Sequence, residues 1–229
     1  MGPTGGIVQL PLVRRSCCSY LGRVLRLVSV VVSLLIMAAP APAAGITILA
    51  FGDSLTAGFG VAPEDAFPIK LEAALRAKGH DVRVINAGVS GDTAVAGRGR
   101  LDWVLSDEVS AVIVELGAND VLRGLDPDGT RAALSDILAK LKSRRLPVLL
   151  AGMRAPRNLG PDYVARFDAI YPQLAQTYHV LYYPFFLSGV AANPDLNQPD
   201  GMHPTAEGVD VIVAGILPTV EELIATVEK

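Results

Sequence analysis

The feature that most constrains the fold is a regular alternation between short apolar runs and longer segments with helical periodicity. Five runs are continuous enough to be buried strands: Ile46–Phe51, Val82–Ile85, Ala111–Leu116, Pro147–Ala151 and Val180–Tyr183. Runs without polar alternation are typical of parallel strands that helices cover on both faces. The pattern therefore predicts a three-layer α/β/α fold around a five-stranded parallel sheet, in the flavodoxin-like strand order 2-1-3-4-5.

The segments between and after these runs are expected to be helices. Their predicted limits are about Phe67–Lys78, Thr93–Leu105, Asp128–Arg144, Pro161–Tyr178 and Thr205–Val227. The longest irregular stretch, Pro184–Pro204, contains four prolines and separates the last strand from the last helix. Because a loop of this length in a small domain is usually functional, we expect it to carry part of a site.

The first 44 residues have the pattern of a secretory signal peptide. Four arginines precede an apolar run from Leu27 to Ala39, and a stretch of prolines and alanines follows it. The run is shorter than the roughly 20 residues that span a bilayer, and Ala41 and Ala43 fit a small-residue cleavage site. We therefore expect cleavage after Ala43 or Ala44, although an uncleaved membrane anchor is the alternative. Residues 45–229 then form the single folded domain.

Composition excludes several classes of function for residues 45–229. Removing the leader leaves 16 basic and 23 acidic residues, a net charge of −7. A domain this acidic has no electrostatic surface for nucleic acid. Both cysteines, Cys17 and Cys18, lie in the leader, so the mature domain has no disulfide and no thiol nucleophile. We expect an exported protein, periplasmic or secreted, with no stable membrane insertion once the leader is removed. A monomer is the expected oligomeric state.

A serine directly follows the first predicted strand. Ser54 comes after the apolar run that ends in Phe51-Gly52-Asp53, at the point where a helix is expected to begin. There its hydroxyl would face the crevice at the carboxyl end of the sheet, and its own N–H would be free to donate. The same position also suits an ordinary helix-capping serine.

A histidine and an acid lie at the end of the long loop. His203 follows Asp200 by three residues, whereas His80 and His179 both lie where helix ends give them ordinary structural explanations. An aspartate at this spacing can accept from one ring nitrogen while the other nitrogen faces a serine hydroxyl. The alternative is that Asp200 only stabilises the turn before the last helix.

Two further segments offer donors for a developing negative charge. Asn119 follows the third strand, where its side-chain amide can point at a carbonyl oxygen. Gly88 and Gly91 follow the second strand, and either glycine would let a backbone N–H approach a substrate. The residue pattern alone does not choose between the two glycines.

Together these segments resemble the SGNH hydrolase superfamily, the GDSL esterases. The matching blocks are Gly52-Asp53-Ser54-Leu55, Ser90-Gly91-Asp92-Thr93, Gly117-Ala118-Asn119-Asp120 and Asp200-Gly201-Met202-His203. A closer similarity is to the bacterial periplasmic arylesterase, thioesterase I and lysophospholipase group. Four stretches carry it: Ser90–Thr93, Val114–Asp120, Ala169–Ala175 and Tyr183–Phe186. The resemblance implies the SGNH hydrolase fold, with Ser54 as nucleophile and Asp200 and His203 completing a triad. It also implies an oxyanion hole from the Ser54 and Gly91 N–H groups and the Asn119 side chain.

The implied activity is a serine esterase that acts through an acyl-enzyme. The expected substrates are small acyl esters or lipids: aryl or short- to medium-chain esters, thioesters and lysophospholipids. No metal and no organic cofactor are implied. An apolar cleft is expected next to the site, from Leu55, Phe59, Leu122, Met153, Pro156 and Phe185, with Arg154 and Arg157 near its mouth.

Three alternatives stay open at this point. A carbohydrate O-acetyl esterase would use the same triad. A metallophosphoesterase would explain the acidic residues around Asn119, but it normally needs several histidine ligands. A non-catalytic flavodoxin-like domain would bind a phosphate at the helix that begins near Ser54.

Overall fold

The computed structural model describes residues 1–2 and 45–228. The predicted leader, residues 1–44, therefore lies almost entirely outside the described residues. Five strands form one parallel sheet: β1 (Ile46–Gly52), β2 (Val82–Gly88), β3 (Ala111–Glu115), β4 (Val148–Ala151) and β5 (Leu181–Tyr183). Their spatial order is β2-β1-β3-β4-β5, which confirms the predicted topology.

Eight α-helices follow the strands within residues 45–228. They are α1 (Ser54–Ala57), α2 (Phe67–Ala77), α3 (Ala94–Val104), α4 (Ala118–Leu122), α5 (Pro127–Ser143), α6 (Pro161–Asp168), α7 (Ile170–Tyr178) and α8 (Ala206–Val227). Helices α2 and α8 pack together, and α5 packs between α3 and α7. These two groups are the outer layers of the predicted α/β/α arrangement. Among these helices, none combines the length and apolar character that crossing a membrane requires.

The core lies on both faces of the sheet. All five residues of β3, the central strand, are buried, and large side chains from the flanking layers fill the space around it. Helix α5 shows how the sequence places its apolar side: Leu134, Ile137, Leu138 and Leu141 are buried, and Lys140 and Lys142 lie in its last turn. Cations at that position also interact favourably with the helix dipole.

Two predicted elements differ from the structure by more than one residue at a boundary. Strand β2 continues to Gly88 rather than ending at Ile85, so Asn86 and Ala87 belong to the sheet. The helix expected over Pro161–Tyr178 is two helices that meet at Ala169. Pro172 explains the break because it lacks the N–H that would bond to the carbonyl of Asp168, and its ring crowds that carbonyl.

The strand register aligns the carboxyl ends on which the site is built. Gly52 of β1 pairs with Gly88 on one side and with Glu115 on the other. Glu115 then pairs with Ala151, and Ala151 with Tyr183. The last residues of all five strands are thus aligned in one row across the sheet. The loops that follow the strands therefore begin next to one another.

Candidate active site

Ser54 is held in a tight turn at the end of β1. Asp53 caps helix α1 and accepts a hydrogen bond from the Leu55 N–H at 3.0 Å. Gly52 must be a glycine, because a Cβ there would lie 2.1 Å from Thr56 Oγ1 and 2.6 Å from the Glu115 carbonyl. The turn therefore presents Ser54 at the head of a short helix, with its own N–H pointing out of the helix end.

Asp200, His203 and Ser54 form one chain of hydrogen bonds. Asp200 Oδ2 lies 2.6 Å from His203 Nδ1, and His203 Nε2 lies 3.0 Å from Ser54 Oγ. The other carboxylate oxygen of Asp200 accepts the N–H groups of Met202 and His203 at 2.9 and 3.0 Å. The hydrogen bond from His203 and these two N–H groups lower the pKa of Asp200 to about 2. An ionised Asp200 sets the imidazole tautomer that leaves Nε2 free to accept the serine proton.

Asn119 lies on the first turn of α4 and contacts Asp53, the residue before Ser54. Tyr171 donates to the Leu116 carbonyl at 2.9 Å and fixes the turn before this helix. Asp120 ties the helix to its neighbours, since its carboxylate accepts the Ala94 N–H and the Thr130 hydroxyl, each at 2.9 Å. The Asn119 amide donates one N–H to Asp53 Oδ2 at 3.1 Å. In the part of the chain that the structure describes, its second N–H donates to no protein acceptor.

Gly91 and Gly88 have different surroundings. A Cβ on Gly88 would lie 2.2 Å from the backbone nitrogen of Ala57, so this glycine is required for strand β2 to pass the helix of Ser54. Gly91 has a φ of 88°, and its nearest neighbour to a Cβ would be Arg123 Nη2 at 3.6 Å. Within the described part of the chain, the Gly91 N–H donates to no protein acceptor. Gly91 is thus the glycine with a free donor.

Two buried carboxyl groups beneath Ser54 were missed by sequence reasoning. Asp53 and Glu115 are both fully buried, and Glu115 Oε2 accepts the Thr56 hydroxyl at 2.7 Å and the Asp53 N–H at 3.4 Å. Burial raises the pKa of Asp53 to about 6. Burial and the charge of Asp53 raise the pKa of Glu115 well above its usual range. The available signal was an acid inside the otherwise apolar run Ala111–Leu116, a position that a fully buried strand rarely gives to a charge.

A cleft of about 290 Å³ opens beside Ser54. Its lining includes Ser54, Asn119 and His203 together with Leu55, Leu122, Met153, Pro156, Phe185 and Leu187. Five of the six predicted apolar residues therefore line it. Phe59 does not; its ring instead packs against the His203 ring, with centroids 4.5 Å apart. The left-handed Gly58 ends α1 and turns the chain toward the histidine.

The two arginines expected near the mouth have separate positions. Arg154 lines the cleft, with its guanidinium 5.2 Å from the centre of the Phe185 ring. Arg157 does not line the cleft, and it pairs with Asp168 at 3.6 Å. A larger cavity of about 450 Å³ lies at the opposite end of the sheet, next to Lys142, Tyr178 and Leu223. None of the site residues borders that cavity, so the cleft beside Ser54 is the better candidate.

Metal ligation has no obvious basis in the described residues. In residues 1–2 and 45–228, no three His, Cys, Asp or Glu side chains converge in a way that could hold an ion. The chemistry of the site is instead that of a serine hydroxyl beside an imidazole and a carboxylate, with an amide donor on the same cleft. Such a group can transfer an acyl group through the serine oxygen.

Comparison with known proteins agrees with this chemistry. The family model for the GDSL-like lipase/acylhydrolase family matches residues 50–211. The chain is 36% identical over 183 residues to esterase TesA of Pseudomonas aeruginosa, covering 80% of this chain and 91% of that protein. It is 40% identical over 161 residues to an arylesterase of Vibrio mimicus, covering 70% and 80%.

Solved structures show the same fold. AlinE4, described as an SGNH-hydrolase family esterase, is 49% identical and superimposes with a TM-score of 0.67, over 80% of this chain and 98% of that one. A crystal structure of TesA is 35% identical with a TM-score of 0.74, over 77% and 99%. Fold and site together define an ester hydrolase of the SGNH type. The chain belongs to the GDSL-like lipase/acylhydrolase family.

Proposed function

We propose that this esterase hydrolyses carboxylic esters through an acyl-enzyme on Ser54. The observation that carries the proposal is the continuous hydrogen-bond chain from Asp200 through His203 to Ser54 Oγ. His203 takes the serine proton as Ser54 attacks the acyl carbonyl, and it then protonates the leaving group. Water enters after the leaving group departs, and His203 acts as the base again for deacylation.

The negative oxygen of the tetrahedral intermediate rests on three donors. They are the N–H groups of Ser54 and Gly91 and the free N–H of Asn119. The open surroundings of Gly91 and the anchored amide of Asn119 support this assignment. Donors fixed before the reaction stabilise the intermediate without reorganising, and each is worth on the order of 3 kcal/mol in the barrier.

The proposed substrates are aryl and short- to medium-chain acyl esters, with thioesters and lysophospholipids as further members. The apolar lining of the cleft supports an acyl or aromatic group, and Arg154 offers one cation at its wall. The names of the relatives agree, because they include an arylesterase and, at 37% identity in Escherichia coli, a thioesterase 1/protease 1/lysophospholipase L1. A sugar O-acetyl ester would need polar contacts for its leaving group. Beyond Ser54, Asn119 and His203, the polar side chains in the cleft lining are Arg154 and Asn197.

Hydrolysis of a short-chain aryl ester and of an acyl thioester tests the proposal directly. Wild type is compared with Ser54→Ala and with Ser188→Ala, which removes an exposed hydroxyl from the long loop. We expect Ser54→Ala to lose several orders of magnitude in kcat and Ser188→Ala to match wild type. Equal activity of Ser54→Ala and wild type would exclude the proposed nucleophile. Turnover of sugar acetates alone would redirect the substrate assignment.

We also propose that residues 1–44 are a signal peptide that exports the enzyme, so that it acts in the periplasm or outside the cell. The arginines before Leu27–Ala39 and the alanines after that run support this proposal. The mass of the protein recovered from the exported fraction tests it, since cleavage leaves an N-terminus near Gly45. A full-length protein retained in the membrane fraction would favour the anchor instead.

A further inference from the structure

One arginine contacts both segments that supply the proposed oxyanion donors. Arg123 Nη2 donates to the Gly91 carbonyl at 2.8 Å and lies 3.5 Å from Asn119 Oδ1. Arg123 directly follows α4, and its N–H donates to the Asn119 carbonyl at 3.2 Å. The guanidinium therefore reaches across from the Asn119 segment to the Gly91 loop.

The contacts of Asn119 fix which way its amide faces. Asp53 accepts from the amide nitrogen, and Arg123 approaches the amide oxygen. A carboxylate binds only a donor and a guanidinium only an acceptor, so both neighbours favour the same orientation. Rotating the amide by 180° would place oxygen against oxygen and nitrogen against nitrogen. The free N–H of Asn119 is thereby held toward the cleft.

The Gly91 segment needs such a restraint because a glycine at positive φ has few steric limits of its own. Its neighbours are anchored: the Val89 N–H donates to the Gly52 carbonyl, and Asp92 pairs with Arg100. Gly91 itself is exposed, and Arg123 is the side chain that holds its carbonyl. The Gly91 carbonyl and the Gly91 N–H lie in neighbouring peptides on either side of its Cα. With Val89 held on one side and the Gly91 carbonyl on the other, the rotations about Gly91 that would turn its N–H are restricted.

The positive charge of Arg123 is not neutralised by a neighbouring carboxylate among the described residues. In the part of the chain that the structure describes, Arg123 makes no ion pair with a carboxylate, whereas Arg98, Arg100 and Arg166 all do. Both of its side-chain partners are neutral oxygens. The guanidinium thus keeps a net positive charge beside the two donor segments, where a negative oxygen develops during acyl transfer.

We propose that Arg123 is a positioning residue that couples the Gly91 and Asn119 halves of the oxyanion hole. The proposal rests on the function proposed for Ser54. Arg123→Gln removes the charge and the forked donor, and Arg123→Lys keeps the charge but offers a single point of contact. Arg98→Gln is the matched control, because Arg98 is an exposed arginine on α3 that pairs with Asp136.

The first test is steady-state hydrolysis of a neutral aryl ester and of an acyl-CoA thioester. We expect Arg123→Gln to lower kcat between about tenfold and a hundredfold on both substrates with KM little changed, since misplaced donors weaken only the transition state. Arg123→Lys should recover part of the loss, and Arg98→Gln should equal wild type. An increase in KM for the anionic thioester alone would overturn the proposal and make Arg123 a substrate-charge contact. Unchanged kinetics would overturn it as well.

A double-mutant cycle with Asn119→Ala separates positioning from general damage to the fold. If Arg123 acts through Asn119, its replacement should cost several-fold less in the Asn119→Ala background than in wild type. Additive losses would contradict the coupling. Ser54→Ala reports separately on the underlying mechanism: if that variant stayed active the proposed function itself would fail, whereas an inactive Ser54→Ala with an unaffected Arg123→Gln would reject only the role of Arg123.

Discussion

His203 Nε2 lies 3.0 Å from Ser54 Oγ, although 149 positions separate the two residues. Gln198 joins the loops that carry them. Its side-chain amide donates to the Phe59 carbonyl at 2.8 Å and to the Pro204 carbonyl at 2.9 Å. Its backbone N–H donates to the His203 carbonyl at 2.7 Å. Gln198 therefore ties the chain that follows Ser54 to the loop that carries His203.

Replacing Gln198 is expected to impair catalysis without unfolding the protein. Gln198→Ala leaves two carbonyls without their donor and frees the histidine loop, so kcat should fall on the order of tenfold to a hundredfold. Gln198→Glu keeps the shape but cannot donate when ionised, and it should be no better than alanine. The measurement is kcat for an aryl ester, with thermal unfolding as the check on folding. Gln173→Ala, an exposed glutamine on α7, is the control; full activity of Gln198→Ala would refute this role.

Replacing Asp200 is expected to change both the rate of ester hydrolysis and the stability of the fold in acid. We expect Asp200→Asn to reduce kcat by about 10⁴-fold, because an amide favours the wrong imidazole tautomer. The pKa of Asp200 is depressed in the folded state to about 2, so its ionised form stabilises the fold above the unfolded value of roughly 4. That stabilisation is lost as the pH falls through about 2.

Urea unfolding of wild type and Asp200→Asn measures this linkage. The difference in unfolding free energy should be largest above about pH 4 and should shrink toward pH 2. Asp195→Asn, in the same loop and exposed, controls for the loss of a surface charge. A difference that stays constant from pH 7 to pH 2 would contradict the depressed pKa.

For Glu115 we expect the opposite dependence on pH, with stability lost as the pH rises rather than as it falls. Its pKa is raised in the folded state by burial and by Asp53, so the folded protein holds a proton that the unfolded chain releases above about pH 4. Stability from the neutral carboxyl is complete below that pH and is lost as the pH rises toward the folded pKa. A glutamine at this position cannot ionise, so the Glu115→Gln variant should not lose stability in this way.

Unfolding experiments at pH 5 and pH 8 check the prediction. Relative to wild type, Glu115→Gln should gain stability as the pH rises, by up to about 1.4 kcal/mol per pH unit for one proton. Glu222→Gln, an exposed acid on α8, should show no such trend. Parallel pH profiles for wild type and Glu115→Gln would mean that Glu115 is ionised in the fold.

The sequence predicted the sheet and the positions of Ser54, Asn119 and His203 because each follows a buried strand or ends the long loop. Parallel strand ends align, so chain position alone implied proximity. Gln198 and Arg123 were not predicted, because each also binds the carbonyl of a loop distant in the sequence, Phe59 for Gln198 and Gly91 for Arg123. The approach of those loops depends on the packed structure. Phe59 was expected in the cleft, yet a left-handed glycine before it turns its ring to His203.

The two glycines after β2 are expected to respond differently to alanine. Gly88→Ala places a methyl group 2.2 Å from the Ala57 nitrogen and 2.8 Å from the Asp53 carbonyl, both backbone atoms that cannot move aside cheaply. We expect it to fold poorly, with a loss of several kcal/mol in the free energy of unfolding. A Cβ at Gly91 meets no such contact. Gly91→Ala should therefore lower the free energy of unfolding only through the strain of its positive φ, by about 1–2 kcal/mol.

Measuring the activity of the two variants distinguishes the packing role expected for Gly88 from the catalytic role proposed for Gly91. Gly91→Ala should remain folded but lose kcat by about tenfold or more, because the strained residue shifts the N–H that is proposed to bind the oxyanion. Circular dichroism and urea unfolding show whether each variant is folded. The value of kcat per folded molecule then measures the effect of the substitution on the proposed Gly91 N–H donor. A folded and fully active Gly88→Ala would contradict the close packing of β2 on α1. A fully active Gly91→Ala would remove Gly91 from the proposed oxyanion hole, leaving Ser54 and Asn119 as its donors.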